Sequence, residues 1–146
     1  MTDLTRQDVL NTLQGDWGTY VQRYRRLSPG AQSAFLVKQG YARFADLLSH
    51  IIAWWDVGYK SIQKYITDPG FEPVEYDVDA FNARAVAKTA GLDEDTVIES
   101  FDKMRGFLID FVEKLPDAAF ENEKVVNQFN MELVGHYRDH KISEIE

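Results

Sequence analysis

Three histidines, His50, His136 and His140, are the only imidazoles in the 146-residue chain, and their spacing carries chemical content. His136 and His140 stand four residues apart in the run HYRDH, so on a helix both rings leave the same face. That spacing suits two ligands of one metal ion. His50 follows Leu47 by three and precedes Trp54 by four, inside an apolar stripe, so it too points toward a core. A core accepts imidazole only where the ring is paired or ligated. Three converging neutral rings offer three nitrogens to a divalent cation and leave a coordination position for water, the layout of a catalytic rather than a structural site. Nitrogen donors without sulfur suit Zn, Ni, Cu or Fe, with Zn and Ni the leading candidates. At an ordinary imidazole pKa near 6.5, protons would compete with the metal between roughly pH 7 and 5. The competing reading has the three rings hydrogen-bonded in the core with no metal.

Several neighbours bear on this site, each with a plain alternative. Asp139 can orient a ligand ring, or be an ordinary solvated residue near a helix end. Glu132, one turn before His136, can be a fourth ligand or a surface residue. Trp54, Trp55 and Tyr137 can line a substrate pocket, or simply fill the core. Other chemistry is missing. The chain has no cysteine, which excludes disulfides, thiolate metal sites and a Cys nucleophile. There is no Gly-rich phosphate loop and no GxSxG. HYRDH lacks the Glu that HExxH uses as a base, and the second long segment lacks the Glu-x-x-His of a ferritin-like di-iron site. With 24 acidic against 16 basic residues the formal charge is −8, unsuited to neutralising nucleic-acid phosphates. No apolar run approaches the length of a membrane span. The opening MTDLTRQDVL lacks a charged-then-apolar leader pattern. The expectation is a single domain over 1–146, cytoplasmic, with neither nucleic acid nor membrane as partner.

Helical periodicity supplies the elements that must position the histidines. Thr5 is a candidate N-cap with Asp8 at N3, opening a stripe through Val9, Leu13, Trp17, Tyr20, Val21 and Tyr24. Ser28-Pro29-Gly30 breaks it, with Pro29 suited to the first turn of a short helix. A second long element from about 39 to 66 carries Phe44, Leu47, Ile51, Trp54, Gly58 and Ile62, widened by Leu48, Ile52 and Trp55, an apolar face broad enough to require deep burial. Asp68-Pro69-Gly70 ends it, and the acidic stretch to Asp79 reads as a solvated loop. A third helical region starts near Asp79, is interrupted at Gly91 as a left-handed cap, and restarts with Asp93 as N-cap. The last helix spans about 127 to 145. Four long helices without a convincing strand make the fold all-α, an antiparallel four-helix bundle. A degenerate repeat is also visible. Leu27-Ser28-Pro29 and Leu115-Pro116 each precede an Ala-Phe pair, and His50 and His136 lie 15 and 16 residues beyond Phe35 and Phe120. Such a repeat would give the bundle a pseudo-two-fold arrangement that brings the histidine-bearing helices together.

The segments LLSHIIAWWDVG and GHYRDHKISEI resemble the DinB/YfiT-like four-helix-bundle superfamily, whose pattern is one His on the second helix and His-x-x-x-His on the last. YDVDAFNARAVAKTAGLDEDTV is similar to its ClbS/DfsB subgroup. The resemblance covers nearly the whole chain. It implies pseudo-two-fold bundle topology, a homodimer, and a divalent metal on His50, His136 and His140. It further implies thiol-dependent S-transferase or isomerase chemistry with a small thiol, or opening of a strained electrophilic ring in a toxic small molecule. The expected function is therefore a metal-dependent enzyme of detoxification or self-resistance, hydrolase or S-transferase in type, acting on a small-molecule electrophile. The alternative is a non-catalytic protein that sequesters a small molecule without metal.

Overall fold

The computed structural model describes residues 4–142, and every regular element among them is helical. Helix α1 (Arg6–Asn11) opens with a reciprocal cap: the Thr5 hydroxyl accepts from the Asp8 N–H at 3.1 Å, and the Asp8 carboxylate accepts from the Thr5 N–H at 3.0 Å. The helical backbone continues through a wide π turn (Thr12–Asp16) and a tight 3-10 turn (Trp17–Thr19) into α2 (Tyr20–Arg26). Ser28 caps α3 (Pro29–Gln39), with Pro29 in the first turn, where its missing N–H costs nothing. Gly40 ends α3 at φ 85°, a left-handed conformation that a Cβ would strain.

The longest helix, α4 (Phe44–Thr67), follows. It buries Phe44, Leu47, Leu48, Ile51, Trp55, Gly58 and Ile62 on one broad face. Asp77 caps α5 (Val78–Lys88) and Asp93 caps α6 (Glu94–Lys114). A 3-10 turn (Asp117–Glu121) leads to α7 (Glu123–Phe129), capped by the Asn122 side chain. That helix runs unbroken through a second π turn (Asn130–Gly135) into α8 (His136–His140). The core gathers around α4, which lies against α5, α6 and α7, while α1 packs on α6. Trp17, Tyr20, Phe44, Trp55, Phe101 and Phe129 are the largest fully buried side chains.

Three boundaries differ from the sequence reading. The second long element begins at Phe44 rather than near 39, because Gly40 takes the left-handed turn that ends α3. Gly91 is not such a cap: Gly40 is the only residue with positive φ among those described, and α5 already stops at Lys88. The last helix starts at Glu123, where Asn122 supplies a cap, and stops at His140, with Lys141 extended at ψ 149°. The expected continuation over 143–145 lies outside the described residues. Among the described residues no helix is long and apolar enough to cross a membrane.

Candidate metal centre

His50 comes from the first third of α4, and His136 and His140 from α8. The structure brings all three together, with one ligand-capable nitrogen of each within 4.8 Å of the others. The Nε2 atoms of His50 and His136 are 3.4 Å apart. Two nitrogens bound to one zinc at about 2.05 Å and tetrahedral angles stand roughly 3.3 Å apart, so this pair is already at ligand spacing. Each neighbouring pair of rings crosses steeply, with centroids 4.7–5.1 Å apart.

Hydrogen bonds on the far side of two rings orient them. The Leu47 carbonyl, an acceptor only, lies 2.9 Å from His50 Nδ1, so that nitrogen carries the proton and Nε2 keeps its lone pair. Gln39 Oε1 accepts from His140 Nδ1 at 2.6 Å, with the same consequence. An outward N–H held by an oxygen is the usual support of a metal-ligating histidine. His136 is different: its Nδ1 is buried near the Glu132 carbonyl but closes no hydrogen bond. Without a cation, the Nε2 atoms of His50 and His136 face one another at 3.4 Å, and a metal between them would take up both lone pairs. The donor set therefore fits a divalent metal.

Electrostatics favour the ligand form. Burial, with a smaller contribution from the other two rings, pushes His136 down to about 3. Burial and His50 push His140 down to about 4. Burial also lowers His50, partly offset by its bond to Leu47. Both α8 rings are thus neutral well below pH 6, and the window of proton competition lies lower than the free imidazole value implies.

The helix that carries two of the rings is held by aromatic donors distant in sequence. A π turn spaces its N–H···O bonds more widely than an α-helix and opens carbonyls to outside partners; such turns recur at functional sites. Here the Trp17 indole N–H donates to the Leu133 carbonyl at 3.1 Å, and that of Trp55 to the Glu132 carbonyl at 3.2 Å. The Tyr20 hydroxyl donates to the His140 carbonyl at 2.7 Å, securing the end of α8. Tyr41 stacks on His50 with centroids 4.9 Å apart.

Glu132 does not join the histidines. Its side chain turns toward Gly58, where a Cβ would come within 2.7 Å of Glu132 Cγ; Gly58 is what lets the last helix approach α4 here. One carboxyl oxygen of Glu132 is buried without a hydrogen-bond partner, and burial pushes the group up to about 8. Glu132 is therefore a neutral acid at pH 7. Asp139 is exposed on α8 and bonds to none of the three rings. The orienting role considered for it falls to Gln39 and the Leu47 carbonyl.

The three aromatic residues singled out in the sequence do not face one common space. Trp54 lies against Phe81 and Tyr76 and donates to Asn82 Oδ1 at 2.7 Å. Trp55 is buried between Phe101 and Trp17. Tyr137 meets Trp17 edge-on at 5.1 Å. The local sequence around Gln39, Tyr41, Trp17 and Tyr20 holds no signal of a role at the site: each reaches it across a tertiary contact. Among family models, curated proteins and solved structures, none matches this chain. Fold and site together define an all-helical protein with a cluster of three histidines, one buried and two half-buried.

Proposed function

We propose that this protein is a metal-dependent enzyme of small-molecule detoxification, hydrolase or thiol S-transferase in type, with Zn or Ni held by His50, His136 and His140. The observation that carries the reading is the convergence of three neutral imidazoles from two distant chain segments, two of them braced from behind by oxygen acceptors. The fold it implies is an antiparallel four-helix bundle of the DinB/YfiT-like kind. Supporting it, a proline turn and a short helical piece precede each histidine-bearing helix, at Pro29 and at Pro116, and those two helices meet at His50 and His136. The same resemblance supports a homodimer, a small thiol as cosubstrate, and a location in the cytoplasm.

When bound, the metal would act as a Lewis acid and make a nucleophile available near neutral pH. The chain's own residues do the rest. Leu47 and Gln39 hold the outward Nδ1 protons of His50 and His140, which keeps each Nε2 free to ligate. Trp17, Tyr20 and Trp55 hold the backbone that carries the α8 rings. Tyr41 stacks on His50 and the Trp17 indole lies edge-on to His136 at 6.4 Å, aromatic surroundings that favour an electrophile with an apolar body.

The test is metal content with turnover. Tag-free protein incubated with Zn or Ni should retain one ion per chain, and His140→Ala should lose it while remaining folded. An activated electrophile offered with water or a small thiol should be turned over many times, and chelation should stop the reaction. A stoichiometric effect that ends after one equivalent and ignores chelator would establish sequestration instead.

A further inference from the structure

We propose that the cavity bounded by α4, α5 and α6 is a second ligand site, for a small carboxylate with an apolar body. This inference does not rest on the metal chemistry above. The cavity measures about 680 Å³, within the range of small-molecule sites. Its walls are mainly apolar, including Ile52, Val57, Phe81, Ala85, Val97 and Met104. Such a surface, left to water, favours an apolar guest.

The rim specifies charge. Arg84 and Lys88 border the cavity one helical turn apart on α5, and neither is ion-paired among the described residues. In a chain of net charge −8, two adjacent unpaired cations beside an apolar hollow stand out. Asp56, the acidic residue at the same rim, is already bridged to Lys60 at 2.8 Å, so its charge is compensated locally.

The serine and threonine hydroxyls of the wall are committed elsewhere. Ser49 donates to the Ala45 carbonyl at 2.8 Å and shares a 2.5 Å contact with Thr89. Ser100 donates to the Thr96 carbonyl at 3.3 Å. Polar recognition therefore falls on Arg84 and Lys88, with the Tyr76 hydroxyl at the same wall. An Arg fork with a neighbouring Lys matches one carboxylate, and the serine and threonine hydroxyls that a phosphate dianion would also call on are already engaged.

Calorimetric titration of the full metal-free chain at low ionic strength tests the assignment, with decanoate, decan-1-ol and decyltrimethylammonium as probes below their aggregation limits. Decanoate should bind once per chain, at least tenfold more tightly than decanol, with no saturable binding of the cation. Arg84→Gln with Lys88→Gln, two exposed changes, should weaken decanoate about tenfold and leave decanol unchanged. Added salt should shrink that difference, because exposed charge pairs are screened. Ala53→Phe, which projects a ring into the cavity, should weaken decanoate at least tenfold, and His140→Ala should not affect it. Decanol binding as well as decanoate, or decanoate affinity indifferent to the double substitution or to Ala53→Phe, would overturn the proposal. Loss of decanoate binding in His140→Ala would place the anion at the histidines and overturn it equally.

Discussion

Replacing Glu132 by Gln probes the interior chemistry directly. Burial raises this carboxyl from an ordinary 4.5 to about 8. Between those two values the folded chain keeps the proton while the unfolded chain has released it, so the native state binds more protons and stability falls as pH rises. Each pH unit inside the window costs about 1.4 kcal/mol. The accumulated penalty is about 1 kcal/mol at pH 5, about 3 kcal/mol at pH 7 and about 4 kcal/mol at pH 8. Gln has no such titration. The stability of Glu132→Gln relative to wild type should therefore grow by about 2 kcal/mol between pH 5 and 7, then level off above pH 8. The histidines act in the opposite sense. His136 and His140 titrate near 3 and 4 when folded against 6.5 when free, so their neutral burial contributes stability above pH 6.5 that is lost on acidification. By pH 5 that loss reaches about 2 kcal/mol per ring. It is common to both proteins and cancels in their difference. Urea unfolding of the pair at pH 5, 6, 7 and 8, with chelator present, measures the difference directly. A difference that stays flat across this range would mean that the Glu132 carboxyl is ionised in the folded state, and the argument from its burial would fail.

Zn or Ni at about 100-fold over its dissociation constant should stabilise wild type by about 2.7 kcal/mol, and its affinity should hold from pH 7 down to the ordinary imidazole value of 6.5 because burial lowers all three rings; a melting point indifferent to metal, or a steep loss of affinity just below pH 7, contradicts the site. Gln39→Ala, which frees His140 Nδ1, should weaken metal binding by about 10–100-fold, as read by competition with a chromophoric chelator. Gly58→Ala should cost about 1–3 kcal/mol in urea unfolding, since the new methyl collides with Glu132 Cγ at 2.7 Å; an unchanged midpoint would show that the last helix shifts freely. Light scattering at micromolar concentration should give twice the 16.8 kDa chain mass, and a monomer would remove the homodimer.

The parts of this protein legible in its sequence are those decided within one or two helical turns. Thr5, Ser28-Pro29 and Asp93 start helices because a side-chain oxygen reaches an N–H two or three residues on. The apolar stripe of α4 marks its buried face, and the four-residue spacing of His136 and His140 puts both on one side of α8, for the same short-range reason. Even locally, competition between neighbours can mislead. Gly91 reads as a left-handed helix stop and Gly40 as part of a helix, yet of the two only Gly40 takes the left-handed turn, and the early cap at Asn122 lacks an apolar stripe long enough to announce it.

What tertiary structure alone decides is everything that joins residues far apart in the chain. His50 meets His136 across 86 positions, Gln39 reaches His140 across 101, and Trp17 holds the Leu133 carbonyl across 116. Two carbonyls of the π turn before His136 accept from indoles that no window around it contains. Glu132 illustrates the limit most clearly. Its local spacing allows a ligand or a surface residue, and the fold makes it neither, because the missing side chain at Gly58 leaves room between two helices where one carboxyl oxygen is buried. Helix propensity and capping act through neighbours along the chain, whereas desolvation and ligand convergence depend on which faces come together when the helices pack.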